Sequence, residues 1–322
     1  MKDTTLVFRT DAHIADTAPQ ARVDDWTATI LDKIAQVNDI ARAEGAEAIL
    51  DGGDLFHIKS PTRNSHRLVE RVAAVLAQGP PTFCCVGNHD VKYGNMEFLP
   101  ESPLGVLYAS EAVHRLYDTH EAVFGGDGRP VVRVVGIPYH GVEYDWNRLT
   151  SLVKGDEDYL VAVAHCLASP RGGEMFGTED ILQYGELANL APDVWCFGHW
   201  HKDQGVQQIG ETRFINPGSL SRGALNEDDV KRTPKCVVMR FEKSGVVIEE
   251  RKLKVVPAME VFDIEGRARQ EARDLTMETF VGNLKDVLLG QSDRSIEDIV
   301  RADDDLPDVV KERVLGYLEQ SR

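Results

Sequence analysis

The chain has 322 residues, 42% of them hydrophobic, which is enough for one large domain with an appendage or for two domains. A formal net charge of −17 disfavours a protein that binds nucleic acid through a basic surface of its own. It fits a small-substrate enzyme, or one whose positive charge comes from bound metals and a partner.

The first third of the sequence alternates strand-like apolar runs with helical patterns. The spacing predicts strands at residues 5–10, 46–50 and 82–86, separated by helices at 24–44 and 62–78. This order of elements implies parallel strands and therefore an α/β sandwich. In such sheets the functional loops gather at the carboxyl ends of the strands.

The rest of the chain contains more strands than helices. A helix is predicted at 146–153 and a hairpin turn at 125–128, and further strands are predicted at 113–116, 122–124, 131–137, 159–164 and 194–197. From Gly205 a meander-like pattern suggests a second, more antiparallel sheet packed on the first, with strands at 205–209, 212–215, 236–241, 246–253 and 260–263. Beyond Gly266 the sequence is charged and helix-like, and a final amphipathic helix is predicted at 306–318.

Polar side chains that suit a metal follow the ends of these strands. Asp54 comes after two glycines, which allow the close approach to an ion that a carboxylate bridging two cations requires. Asp11 and His13 lie together on one loop after the first strand, and both side chains are ligands for divalent metals. Either motif alone is explained as well by a loop aspartate that caps a backbone amide.

The sequence Gly87-Asn88-His89-Asp90 is a more specific signal. Asn88 offers a neutral oxygen ligand and leaves His89 to act on a substrate, while Asp90 is expected to hold the His89 ring. The alternative is an ordinary turn rich in Asn and Asp. The buried strand that leads into it through Val86 favours the functional interpretation.

Two further strand ends carry histidines. His199 and His201 point to the same side of an extended segment, which is a strong metal signal. A zinc site with Cys196 is the alternative, but no second Cys pair with zinc-finger spacing is present. His165 alone would more often be a core histidine. The mixed Asp, Asn and His set without thiolates favours manganese, iron or zinc over an all-oxygen magnesium site.

Taken together, these residues resemble the calcineurin-like metallophosphoesterase superfamily. The resemblance rests on five motifs in order, which are Asp11-x-His13, Gly53-Asp54, Gly87-Asn88-His89-Asp90, His165 and Gly198-His199-x-His201. Within the superfamily, the SbcD-type nuclease branch of double-strand-break repair is similar at Gly53-Asp54-Leu55-Phe56-His57, Gly136-Ile137-Pro138-Tyr139 and Asn216-Pro217-Gly218-Ser219. The compact length is similar to that of phage-encoded versions.

The resemblance implies a fold, two domains and a ligand set. The fold would be a four-layer α/β/β/α sandwich with a short helical C-terminal tail, divided into a nuclease domain at 1–265 and a helical segment at 266–322. Asp54 would bridge two divalent ions, manganese first and iron, zinc or magnesium as alternatives. The first ion would be held by Asp11, His13, Asp54 and His201, and the second by Asp54, Asn88, His165 and His199. His89, oriented by Asp90, would protonate the leaving oxygen or stabilise the transition state, and His57 would help position the phosphate.

The function implied by the resemblance is two-metal hydrolysis of phosphodiesters. The protein would be the DNA exonuclease and endonuclease subunit of an SbcC–SbcD-type repair and recombination complex, with DNA and an SbcC-type coiled-coil ATPase as partners. The helical tail would bind the ATPase, and helices around 62–78 and 97–107 would form a homodimer. The alternative is a stand-alone phosphodiesterase or phosphatase acting on small nucleotides or other phosphoesters, which the acidic charge and the lack of room for a capping domain after Gly266 favour. A metal-stabilised scaffold without activity is a third interpretation.

The compartment is inferred from weaker signals. The five cysteines lie in or beside apolar runs, as reduced buried thiols do, and the N-terminus has no signal-peptide pattern. No run of about 18 apolar residues is present, so neither a membrane-spanning helix nor a membrane partner is expected. We therefore expect a cytoplasmic protein.

Overall fold

The computed structural model describes residues 3–58, 63–141, 143–171, 173–175, 179–264, 266, 296–302, 310–312 and 314–315. The chain divides into two compact units, Met1–Phe262 and Asp263–Arg322. Among the described residues, no helix has the length and apolar character needed to cross a bilayer.

The first unit contains more residues in strands than in helices. In chain order they are β1 (Thr4–Arg9), β2 (Ala48–Asp51), β3 (Thr82–Cys84), β4 (His114–Arg115), β5 (Ala122–Gly126), β6 (Arg129–Ile137), β7 (Tyr159–Cys166), β8 (Ala168–Ser169), β9 (Gly173–Met175), β10 (Glu179–Gln183), β11 (Val194–His199), β12 (Gly205–Ile209), β13 (Thr212–Asn216), β14 (Lys235–Glu242) and β15 (Gly245–Lys252). The helices are α1 (Trp26–Ala43), α2 (His66–Leu76), α3 (Pro103–Ala109), α4 (Trp146–Thr150), α5 (Tyr184–Leu187), α6 (Glu227–Lys231), α7 (Ala258–Val261) and, in the second unit, α8 (Ile296–Ala302). Two short 3-10 helices lie at Lys92–Gly94 and Met96–Glu101.

Two six-stranded sheets form the centre of the first unit. The strand order of the first sheet is β15-β14-β1-β2-β3-β4, with β1 to β4 parallel and β14 and β15 antiparallel to their neighbours. The order of the second is β12-β13-β11-β7-β6-β5, with β6, β7, β11 and β13 parallel. A small third sheet has the order β8-β10-β9.

Three hydrophobic clusters define the layers. The inner cluster joins the facing sides of the two sheets, through Leu6, Leu50 and Val161 among others. A second cluster packs α1 and α2 on the outer side of the first sheet, and a third packs α4 and α5 on the outer side of the second. Together they give a mixed α/β fold with two central sheets and helices outside, which confirms the predicted sandwich.

Local capping explains where the two long helices begin. Asp25 accepts a hydrogen bond from the Ala28 amide and starts α1, two residues later than predicted. Ser65 does the same for the Leu68 amide, so α2 begins at His66 rather than near residue 62.

The predicted second sheet needs two corrections. Strands β14 and β15 belong to the first sheet, because β14 pairs with β1 in antiparallel register, Val7 opposite Val238. The predicted strand at 260–263 is wrong, since Ala258–Val261 form one helical turn that starts after Pro257. Of the predicted tail helix at 306–318, the described residues 310–312 and 314–315 are helical, and the others lie outside the described residues.

A buried ion pair ties β1 to β2 just before the loop that carries Asp54. Arg9 and Asp51 are register partners, both completely buried, and Arg9 Nε lies 2.8 Å from Asp51 Oδ2. The other two guanidinium nitrogens of Arg9 have no hydrogen-bond partner among the described residues. Burial raises the pKa of Asp51, although Arg9 opposes this shift. The carboxylate is therefore the main compensation for a buried cation.

Replacing Asp51 by Ala should destabilise the fold strongly, because it leaves the Arg9 charge buried without a counter-ion. We expect the free energy of unfolding to fall by about 3–5 kcal/mol, measured by urea denaturation of metal-free protein. Asp39→Ala is the matched control, since Asp39 pairs with Arg42 on the surface, and should change stability by less than about 1 kcal/mol. Equal effects of the two substitutions would contradict the assigned importance of the pair.

Candidate metal centre

The carboxyl ends of four parallel strands bring the predicted residues together. Asp11 and His13 follow β1, Asp54 follows β2, His165 lies near the end of β7 and His199 ends β11. Four of these five residues have positive φ angles, namely Asp11 (54°), His13 (47°), Asp54 (53°) and His199 (85°). Residues other than glycine rarely adopt this conformation, and such strain clusters at functional sites.

Glycines allow the backbones to approach at this point. A Cβ atom on Gly87 would lie 2.1 Å from Asp54 Oδ1 and 2.6 Å from a ring carbon of His165. A Cβ on Gly198 would lie 2.9 Å from His165 Nδ1. Any side chain at these two positions would therefore displace the candidate ligands.

The first ligand cluster contains two carboxylates and two imidazoles. The donor atoms of Asp11, His13, Asp54 and His201 all lie within 4.8 Å of one another. His13 Nε2 is 2.8 Å from His201 Nε2, 3.7 Å from Asp11 Oδ1 and 3.6 Å from Asp54 Oδ2. These four residues are the set predicted for the first ion.

The second cluster shares Asp54 with the first. The donor atoms of Asp54, His165 and His199 lie within 4.8 Å of one another. His165 Nε2 is 3.5 Å from Asp54 Oδ2 and 3.1 Å from Asn88 Oδ1. His165 Nδ1 lies 2.7 Å from the Gly52 carbonyl oxygen, which makes Nδ1 the protonated nitrogen and turns Nε2 towards the cluster.

The Asp54 carboxylate lies between the two clusters. Its Oδ1 accepts a hydrogen bond of 2.7 Å from the His89 amide. Its Oδ2 faces both His13 and His165, is buried, and has no hydrogen-bond partner among the described residues. A buried carboxylate oxygen without a donor is costly unless a cation binds it. This atom is therefore suited to bridge two ions.

Electrostatics at the centre favour cations. Burial would raise the pKa of Asp54, but the His165 and His13 imidazoles outweigh it and hold that pKa well below its usual range. Burial likewise opposes the shift at Asp11, whose pKa is lowered to about 2, mainly by the neighbouring His13 imidazole. Against the effect of burial, the Asp54 carboxylate raises the pKa of His165 to about 9. Both carboxylates are thus ionised at neutral pH and available to bind metal.

His57, His89 and Asp90 lie beside the clusters, but not in the predicted arrangement. Asp90 does not hold the His89 ring. Its carboxylate accepts hydrogen bonds from the amides of Asp54 (2.8 Å) and Gly87 (2.9 Å), so it shapes the two loops that carry the ligands. The His89 ring is held instead by the His57 carbonyl oxygen, 2.7 Å from His89 Nδ1. The two rings stack with centroids 5.1 Å apart, and His57 Nδ1 is 3.4 Å from His13 Nδ1.

Sequence reasoning missed Glu179. Its Oε1 lies 2.9 Å from His199 Nε2, and the Tyr144 hydroxyl donates a 3.4 Å hydrogen bond to the same oxygen. His199 Nε2 is therefore the donor nitrogen, and Nδ1 is left for an ion. Only the pairing of β10 with β8 and β9 brings Glu179 here, and no local pattern in the sequence indicates that pairing.

The Asn216-Pro217-Gly218-Ser219 turn forms hydrogen bonds with two of the loops that carry candidate ligands. Ser219 Oγ donates to the Asp11 carbonyl oxygen at 2.8 Å, and the Ser219 amide donates to the His201 carbonyl oxygen at 2.9 Å. A Cβ on Gly218, which has a φ of 72°, would lie 2.6 Å from that same His201 oxygen. The turn thus joins the loops of two candidate ligands.

The comparison with protein families agrees with this geometry. A family model described as calcineurin-like phosphoesterase matches residues 9–203, more than half of the chain, and that span contains all seven candidate ligands. A comparison with curated protein sequences gives no significant match. The family and the side-chain clusters support a dinuclear metal site.

Solved structures match this chain at low sequence identity. A dimetal phosphatase from Danio rerio is 13% identical, with a TM-score of 0.52 over 77% of this chain and 96% of its own. A 5'-nucleotidase precursor from Thermus thermophilus is 14% identical, with a TM-score of 0.46 over 87% of this chain and 60% of its own. An archaeal phosphodiesterase is 13% identical, with a TM-score of 0.39 over 78% of this chain and 100% of its own. Likeness at such identity reflects the fold alone.

Removing the Glu179 side chain should weaken metal binding. Glu179→Ala frees the His199 ring to rotate, so we expect the affinity for the ion at the second cluster to fall about 10–100-fold, measured by calorimetric titration with Mn²⁺. Glu179→Gln keeps an acceptor and should recover part of the loss. Glu186→Ala, on the exposed side of α5, is the matched control, and an equal affinity for Glu179→Ala and this control would reject the positioning role.

Metal binding should release protons at neutral pH. With a pKa of about 9, His165 is protonated at pH 7 in metal-free protein, and the pKa of His13 is raised in the same direction. An imidazole must lose that proton before it binds a cation, so affinity should rise with pH by about tenfold per unit and per proton until about pH 9. Titration at pH 7 in buffers of different ionisation enthalpy measures the release. Heats that do not depend on the buffer would contradict the assignment.

Proposed function

The chain belongs to the calcineurin-like phosphoesterase family, and we propose that it is a DNA nuclease, the catalytic subunit of an SbcC–SbcD-type repair and recombination complex. Family and ligand clusters make it a metal-dependent hydrolase of phosphoesters. The nuclease assignment goes further and rests on features beside the metal centre.

The observation that carries the proposal is the pair of histidines next to the first ligand cluster. The Leu55-Phe56-His57 extension of the Asp54 loop lays the His57 ring against His89 and within 5.4 Å of the His13 ring, centroid to centroid. Donor atoms of His13, His57 and His89 lie within 4.8 Å of one another. Such a group of imidazoles is suited to bind the phosphate and the leaving oxygen of a diester.

The adjoining cavity also favours a large substrate. It has a volume of about 1170 Å³ and is lined by His13, His57, His199 and His201 on the side of the metal centre. This exceeds the range of about 300–1000 Å³ that is usual for small-molecule pockets. A polynucleotide that enters lengthwise would make use of such a space.

The proposed chemistry assigns a separate task to each group. When bound, the two cations would lower the pKa of the attacking water and neutralise charge on the phosphoryl group. Asp54 and the two imidazole sets are the residues that would hold these cations. His89 donates through Nδ1 to the His57 carbonyl oxygen, so Nε2 is the nitrogen that we assign to protonate the leaving sugar oxygen.

The acidic charge explains why the proposal includes a partner. Glu227, Asp228 and Asp203 line the cavity together with Lys202, Lys231 and Arg232, and the chain as a whole carries −17. Negative potential of this size slows the approach of DNA. An SbcC-type ATPase would supply the positive surface, and the segment after Gly266, for which the sequence predicts helices, is the part of the chain that we propose to bind it.

The same carboxylates favour a second candidate function. A stand-alone phosphodiesterase or phosphatase acting on small nucleotides does not depend on long-range attraction of a polyanion. Its substrate would occupy only the histidine side of the cavity.

A substrate comparison with Mn²⁺ separates the two candidates. The nuclease proposal predicts cleavage of linear duplex DNA, stimulated by the ATPase partner, and a rate on DNA about 10²–10⁴-fold lower in His89→Ala. The same variant should lose much less on a bis-nitrophenyl phosphodiester, whose leaving group needs no proton. Asp54→Asn controls for contaminating nucleases, and exposed His120→Ala controls for a lost histidine. Intact DNA with and without the partner, together with turnover of small diesters, would reject the nuclease and support the second candidate.

A further inference from the structure

A second cavity lies on the outer side of α1 and has an unusual charge. Its volume is about 650 Å³, and the described residues that line it include Arg22, Lys33, Arg222 and Lys254, with Asp32 as the one acidic residue. The chain has 36 basic residues against 53 acidic ones. A cavity lined by four cationic side chains is therefore unexpected in a chain whose net charge is negative.

Two of these cations are buried and lack a counter-ion within the described part of the chain. Arg22 is compensated, because Asp24 binds it with two contacts of 2.7 Å. Lys33 is 1% exposed, and its Nζ has no hydrogen-bond partner among the described residues. Arg222 is 4% exposed; its Nη2 donates to the Val256 carbonyl oxygen at 2.6 Å, and its Nε has no partner among the same residues.

The carboxylates that act electrostatically on these two cations are bound by other arginines. Asp229 acts on both Lys33 and Arg222, and Asp24 acts on Arg222. Arg232 lies 2.8 Å from the Asp229 carboxylate, and Arg22 lies 2.7 Å from that of Asp24. Burial lowers the pKa of Lys33 to about 7, with further lowering by Arg222 and Arg22. Burying two uncompensated cations side by side is costly, and the cost is offset when an anion sits between them.

We propose that this cavity binds a phosphate group, free or carried by a small molecule, through Lys33 and Arg222, with Lys254 at its exposed rim. The arrangement pairs a guanidinium, which matches the geometry of phosphate oxygens, with an ammonium point charge. The volume suits a small ligand and is too small for a macromolecule.

The site is distinct from the metal centre. None of the residues that line it lines the cavity beside the metal centre. The two cavities lie on opposite sides of one segment, because Ser221 and Gly223 line the cavity beside the metals while Arg222 lines the other. The proposal therefore does not depend on the nuclease assignment.

Titration with inorganic phosphate tests the site on the full chain, after metals and chelator have been removed by dialysis. Calorimetry should detect one saturable phosphate site in wild type, weakened about tenfold or more in Lys33→Met. Lys243→Met, with the same charge change on the exposed β14–β15 hairpin, should bind phosphate like wild type. AMP, titrated in parallel, distinguishes the sources, since tighter binding of AMP indicates a phosphorylated small molecule and tighter binding of phosphate indicates the free ion.

Thermal unfolding gives a second measurement, independent of calorimetry, that also shows whether the variant folds. Because Lys33→Met removes a buried unpaired cation, it should unfold at the same temperature as wild type or higher in phosphate-free buffer. Phosphate should raise the unfolding temperature of wild type and of the Lys243→Met control, and raise that of Lys33→Met much less at the same concentration. No saturable binding to wild type, or equal binding to wild type and Lys33→Met, would overturn the proposal.

Discussion

The rest of the structure depends on how one buried carboxylate is held. Asp54 Oδ1 is fixed by the His89 amide, and Oδ2 lies between His13 and His165 with no donor of its own among the described residues. A charge in that position is stable only when positive charge surrounds it. The imidazoles supply part of it, and two divalent cations would supply the rest. The positive φ angle of Asp54 adds a further cost, which the surrounding loops must offset.

The order of the strands in the two sheets brings the candidate ligands together around Asp54. Parallel strands from both sheets end at one edge, so each contributes a side chain without a long loop. Hydrogen bonds then lock the loops to one another: Asp90 joins the Asp54 and Gly87 loops, and Ser219 joins those of Asp11 and His201. The positions of the ligands are thus set largely by backbone contacts. Glycine is needed at positions 87 and 198 because a Cβ atom there would collide with the candidate ligands.

Local sequence patterns predicted the parts of this arrangement that local physics determines. Apolar runs and the Asp, Asn and His residues that follow them were enough to predict β1, β2, β7 and β11 and the polar groups at their ends. Strand partners are different, because β14 could pair at either sheet and only the packing of the whole chain selects β1. The same reason explains Glu179 and Asp90. Their partners are set by hydrogen bonds between residues 20 and 36 positions apart, which no spacing rule encodes.

The acidic surface and the basic groups inside the cavities act on a phosphate compound at different distances. At physiological ionic strength, charges are screened over about 8 Å, so most of the acidic surface neither reaches the metal centre nor weakens a phosphate bound there. The acidic surface instead slows the association of a long polyanion, because such a molecule is repelled by many carboxylates at once. Among the described residues, we propose short-range attraction for a phosphate group at two places, the imidazole clusters around Asp54 and the buried pair Lys33 and Arg222. On these proposals, a phosphate group would be recognised after it has entered one of the two cavities rather than at the acidic surface.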